Sequence, residues 1–196
     1  MPNNFITTGK ISASQLSLWV KSPQEYIKQY LEGKPFIGNK YTEFGSLIHK
    51  KIELQDISMN HIPQLFNKEF YFEKKWNKVI LNGYIDSFEK GEILDYKISK
   101  SGRWSQKDVE NSIQVNFYGF WHYLEYKTLP KVSIVHIESI QNEYGELYLS
   151  GSFKVYTKQI RNKDIQNIKK KLRDFIKWCR EYQNSKNQNK LFDKLI

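Results

Sequence analysis

At 196 residues the chain fits one domain with a core of ordinary size, and its formal charge of +10, from 31 Lys and Arg against 21 Asp and Glu, favours a polyanion: nucleic acid first, an anionic membrane second. The single cysteine, Cys179, excludes an intramolecular disulfide and cannot by itself assemble a zinc or iron–sulfur site, which suits a reducing setting. The amino terminus lacks the basic-then-apolar order of a signal peptide, and no window nears the ~20 apolar residues of a membrane span, so a soluble, cytoplasmic protein is expected.

The first elements are helical. SASQLSLWV and SPQEYIKQYLEG each open on a capping-box pattern, Ser12 with Gln15 and Ser22 with Glu25, and Pro23 stands at the first helical position of the second. Gly33 and Pro35 end it. A third helix, Tyr41 to Gln55, turns Phe44, Leu47, Ile48 and Ile52 toward a core and sets His49 and Glu53 four apart on one flank. From Lys68 to Ser99 the period shortens to antiparallel strands, KEFYFEKK, KVILNGYIDSF and EILDYKIS, with turns at Asn77 and Lys90-Gly91. Gln106 to Lys127 returns to helical spacing, with Gln114 and Tyr118 beside an apolar stripe. Strands follow at Val132–Ile140 and Glu146–Val155, then a helix from Lys163 to Tyr182 with Ile165, Ile168, Leu172 and Phe175 inward. The expected architecture is a single α/β domain over residues 1–185: helices in 1–60, a sheet with flanking helices in 68–182, then a frayed polar tail in 186–196.

The hairpin GYIDSFEKGEILDYK carries the chemistry. A turn at Lys90-Gly91 pairs Phe88 with Ile93 and therefore Asp86 with Asp95. Tyr84, Asp86, Asp95 and Lys97 then share one face, and Ile85, Leu94, Tyr96 and Ile98 the other. Opposed carboxylates repel and weaken the hairpin unless a cation lies between them, and oxygen ligands of this kind suit Mg²⁺ or Mn²⁺. Lys97 would hold or deprotonate a water beside that ion, or stabilise charge on a phosphate, a set suited to phosphodiester hydrolysis. The same three charges would equally form a surface ion cluster in which Lys97 neutralises the acids, and hairpin geometry alone does not choose.

Read together, five motifs resemble the RecB-like branch of the PD-(D/E)xK nuclease superfamily. SASQLSLWVKSPQEY is similar to its S-x-S-x-L-x-x-(F/Y/W)-x-x-C-P-x-x-(F/Y) signature, FGSLIH to its G-x-x-x-H, GYID and DYK to its two metal-binding strands, and QVNFY to its Q-x-x-x-Y. They cover residues 12 to 118 in order; beyond Tyr118 the agreement is only general. The resemblance implies a PD-(D/E)xK nuclease-like fold, a central mixed sheet flanked by helices. It implies that His49, Asp86, Asp95 and the Tyr96 carbonyl ligate Mg²⁺ or Mn²⁺, and that Lys97 positions the attacking water. Gln114 and Tyr118 would contact the DNA backbone or support the site, and Glu53 would orient His49. Many relatives have cysteine where this chain has Ser22, and there it helps hold an iron–sulfur cluster. With Ser22 and a lone Cys179 no cluster is expected, which places the chain nearer the compact viral and organellar exonucleases.

The implied activity is metal-dependent hydrolysis of DNA phosphodiester bonds, at ends or flaps in replication, recombination or repair. A nuclease-like DNA-binding scaffold without turnover and a restriction-type endonuclease are the alternatives. Lys100, Arg103 and Trp104 in SKSGRWSQ would grip phosphate and stack on a base, or form a plain loop. Lys169, Lys170, Lys171, Arg173, Lys177 and Arg180 would track a DNA backbone or form a solvated face. Leu191, Phe192, Leu195 and Ile196 offer a docking patch for a protein partner or a second copy, and His61, His122 and His136 read as structural.

Overall fold

The computed structural model describes residues 5–34 and 36–192, with backbone only for Thr7 and for 187–192. Phe5–Thr8 (α1) leads through Gly9 into a two-residue strand, Lys10–Ile11 (β1). Ala13–Lys21 (α2) and Pro23–Tyr26 (α3) are capped as expected: Ser12 and Ser22 each accept from the backbone N–H three residues on. The second helix widens into a π turn at Ile27–Leu31. Lys40–Glu53 (α4) starts on a full capping box between Asn39 and Thr42.

Asn67–Trp76 (β2), Val79–Glu89 (β3) and Glu92–Ser99 (β4) form the antiparallel meander. The stretch expected as one helix breaks at Ser112, whose extended backbone ends Gln106–Asn111 (α5) and whose hydroxyl caps Ile113–Tyr126 (α6). That crossover makes Lys131–Gln141 (β5) parallel to β4, and Leu147–Gln159 (β6) returns antiparallel along β5. Asn162–Phe192 (α7) runs well past Tyr182, through the segment expected to fray. Backbone of Leu191 and Phe192 belongs to this helix, while Leu195 and Ile196 lie outside the described residues.

The mixed six-stranded sheet separates two cores. On one face α6 and α7 bury Val115, Phe117, Phe120, Leu172 and Phe175 with Ile85, Phe88 and Ile93 of the sheet. On the other, Ile48 and Ile52 of α4 meet Leu94, Tyr96, Val135 and Ile137. Leu47, expected to face inward, is 53% exposed, because the α4 stripe that meets the sheet is Phe44, Ile48 and Ile52.

β2 pairs with β3 at both of its ends, so β1, at Ile80 and Leu81, and β4, from Ser87 onward, must share the opposite edge of β3. Between them, Asn82 to Asp86 have no strand partner on that edge. The sheet forks there.

Candidate active site

The hairpin register is the expected one as far as Phe88 opposite Ile93, but the ladder stops at Ser87 opposite Leu94. Asp86 and Asp95 are therefore not a directly opposed pair. Asp86 Oδ2 instead accepts the Tyr96 N–H at 2.6 Å, so a side chain replaces the main-chain acceptor and the strands part. The shared-face expectation changes as well. Ile85 and Phe88 both bury in the α6-side core although they lie three apart, which means that β3 slips half a period between them. Opposite this slip, Glu69 has φ +44° and drops out of the β2–β3 ladder, which pairs Phe70 with Ile85 and Lys68 with Ser87. As a result Asp86 opens toward α4, while Asp95 reaches back toward α6.

His49 on α4 places Nδ1 3.4 Å from Asp86 Oδ1. Burial pulls its imidazole pKa down, and the bond to Asp86 with the charges of Asp86 and Asp95 more than reverses this. Asp95, 1% exposed, receives the Gln114 amide on Oδ1 at 2.7 Å and Lys97 Nζ on Oδ2 at 2.6 Å. Burial, with help from Asp86, pushes its carboxyl up to about 6 against the opposing pull of Lys97. Burial lowers the Lys97 ammonium, but the two aspartates outweigh it and the net direction is upward. Lys97 is thus held as a cation by the two aspartates.

Gln114 sits in the first turn of α6 because Ser112 restarts the helix. Its amide also donates to the Tyr118 hydroxyl at 2.8 Å, and that hydroxyl donates to the Tyr84 carbonyl at 2.9 Å, on the unpaired stretch of β3. Gln114 and Tyr118, one helical turn apart, therefore plug the fork and hold Asp95. Tyr96 presents its N–H to the fork, and since a strand residue directs N–H and C=O to the same edge, its carbonyl faces the fork too. Its phenol is anchored on the Pro63 carbonyl at 2.9 Å. Glu53 does not orient His49: its carboxylate pairs with Lys50 at 2.8 Å, one helical turn back on its own helix, and the ring is held by Asp86.

Sequence reasoning missed Glu69. Its carboxylate, half-buried and pushed upward in pKa by burial and by Asp86, makes a group with His49 and Asp86 whose ligand atoms all lie within 4.8 Å of one another. The signal was available: a two-residue turn at Asn77-Lys78 counts Glu69 opposite Asp86. His49, Glu69, Asp86 and Lys97 line one open cleft of about 900 Å³ with Ser14, Tyr41 and Ser46. The two carboxylates and the imidazole of this group are compatible with a divalent cation.

Lys100 and Arg103 are exposed and line an adjoining cleft that shares Tyr41 and Ile98 with the first. Trp104 packs partly buried against the main core instead of projecting from the loop. His122 accepts the Gly91 N–H at 3.0 Å, pinning the hairpin turn, and His136 meets Ser99 across β4 and β5. His61 packs at the rim against Phe153. Cys179 is fully buried beside Tyr26 and Phe175, and Ser22 caps α3. Among the described residues no helix is long and apolar enough to cross a membrane.

No protein-family model matches the chain, and no curated protein matches it in sequence. Solved structures match it in fold. LHK-Exo in complex with dAMP superposes with a TM-score of 0.56 at 12% identity, covering 92% of this chain and 94% of that one. The alkaline exonuclease LHK-Exo from Laribacter hongkongensis gives 0.50 at 11% identity, covering 94% and 96%. The chain has the α/β fold of these exonucleases along nearly its whole length.

Proposed function

We propose that the protein is a DNA nuclease that hydrolyses phosphodiester bonds with a divalent cation, Mg²⁺ or Mn²⁺. The observation that carries this reading is the convergence, from α4, β2, β3 and β4, of His49, Glu69, Asp86, Asp95 and Lys97 at an open fork in the sheet. An ion cluster on a surface would leave these charges solvated; here Asp95 is buried and its partners are fixed by hydrogen bonds.

His49, Glu69, Asp86 and Asp95, with the Tyr96 carbonyl, would hold the ion, which when bound supplies Lewis acidity to a phosphoryl oxygen and lowers the pKa of a water. The chain's own contribution is positional. Lys97, held charged by Asp95, orients a water by donating to its oxygen and offsets negative charge gathering at phosphorus. Gln114 and Tyr118 keep Asp95 and the fork in place. Lys100 and Arg103, in the adjoining cleft, extend the positive surface along which a phosphate backbone would run. The RecB-like motifs, the caps at Ser12 and Ser22 and the burial of Cys179 favour a member of that branch without an iron–sulfur cluster, acting at DNA ends or flaps in replication, recombination or repair.

Labelled linear, circular and flapped DNA, incubated with Mn²⁺ and with EDTA, tests the reading. Cleavage by the wild type, lost in EDTA and reduced at least 100-fold in Lys97→Ala with fold and DNA binding retained, is expected. Undiminished cleavage by Lys97→Ala refutes the role of Lys97, and salt-sensitive binding with no turnover in Mn²⁺ identifies a scaffold.

A further inference from the structure

On the face of the sheet that carries Asp86, the next residue pair along β2 and β3 is Tyr71 opposite Tyr84. Ile85, between Tyr84 and Asp86, is fully buried in the opposite core, so Tyr84 and Asp86 point the same way. Tyr71 is 44% and Tyr84 59% exposed, and their ring centroids are 5.1 Å apart with the planes inclined at 51°. α4 covers β4 and leaves this part of the face open.

Tyr71 is tethered, and the Tyr84 backbone is anchored. Tyr71 donates its hydroxyl to Glu73 Oε2 at 2.7 Å, and Lys10 holds the same oxygen at 2.7 Å from β1. Beneath Tyr84, its own carbonyl accepts from Tyr118, the residue that plugs the fork. The rings and the acid cleft therefore share one framework.

We infer that the Tyr71 and Tyr84 pair forms a platform on which the face of the Tyr84 ring, braced by the tilted Tyr71 ring, stacks on a single nucleobase of unpaired DNA, that of the nucleotide next to the one whose phosphate lies at Asp86 and Lys97. Two strand residues, roughly 7 Å, separate the platform from the acids, the spacing of successive nucleotides along an extended strand. Two rings fit one base but are too small for a stable protein interface, which requires about 1,000 Å². A base can lie on them only when it is free of its own duplex, so the platform selects single-stranded DNA or a frayed end. The inference rests on reading the cleft as a nuclease site.

The test uses the full-length protein in EDTA, where no cleavage is expected, and the anisotropy of a labelled 12-nucleotide single strand of mixed sequence. Removing the platform ring in Tyr84→Ala should weaken binding roughly 5- to 100-fold. Tyr84→Phe should bind like the wild type. A series of strands with one abasic position each should contain one that reproduces the loss in the wild type and shows no further loss in Tyr84→Ala. Unchanged affinity in Tyr84→Ala, or penalties that multiply at every abasic position, overturns the platform. If the wild type nevertheless cleaves DNA in Mn²⁺, the nuclease reading survives that result; a wild type that neither binds nor cleaves DNA sinks both.

Discussion

Asp95 makes the metal-free protein less stable as it ionises, and the effect is large enough to measure. Its carboxyl titrates at about 6 in the fold against an ordinary 3.8, because burial disfavours the charged form and Asp86 adds repulsion while Lys97 opposes. A folded-state pKa above the unfolded one means that the native state binds the proton more tightly. The contribution of Asp95 to stability is then greatest below pH 4, falls as pH rises toward 6, and levels off above it. Two units at about 1.36 kcal/mol each give a loss on the order of 3 kcal/mol. Asp95→Asn removes the titration and retains an amide oxygen to accept the Gln114 N–H. Exposed carboxylates whose pKa is lowered, such as Asp56, Glu73 and Asp108, act with the opposite sign, but they are common to both proteins and cancel. Urea unfolding in EDTA, at half-unit steps from pH 4 to 7, should show wild-type stability falling relative to Asp95→Asn across that window. Parallel curves, or a wild type that gains on the variant, refute the reasoning.

Gly119 lies on α6 directly after Tyr118, where a methyl group would stand 2.5 Å from Ile160 Cγ1 and 2.7 Å from Cδ1. Two contacts under 3.0 Å put overpacking at about 2–3 kcal/mol, and less ~1 kcal/mol of helix propensity this gives a net loss of about 1–2 kcal/mol for Gly119→Ala by urea denaturation, relieved on an Ile160→Ala background; equal stability without that second change contradicts the packing argument. Burial pushes the Cys179 thiol up to about 12, so an aromatic disulfide reagent at pH 8 should leave it untouched in the native protein and react fully in urea. Rapid stoichiometric reaction without denaturant counts against the buried position.

Much of the site was legible because its residues carry local signals. Hydrophobic period and serine caps gave the helices, and the Lys90-Gly91 turn gave the register at Phe88 and Ile93. What pattern alone missed was each departure from regularity. Strict alternation placed Asp86 and Asp95 face to face, whereas the half-period slip opposite Glu69 sends them to opposite sides of a fork. Helical spacing carried one helix through Ser112, whereas that residue caps a new one and sets Gln114 on Asp95. Glu53 occupied a reasonable flank of α4 and was taken by Lys50.

The sequence by itself determined which groups are available to the candidate site: acids, imidazole and lysine at spacings that local turns and helical repeats convert into proximity. Only the tertiary structure decided how those groups meet. β1 and β4 compete for one edge of β3, and neither reaches its middle. The unpaired stretch that results is where Asp86, Glu69, His49 and the plug from α6 converge. No local pattern encodes such a gap, because it arises from the pairing of strands distant in the chain.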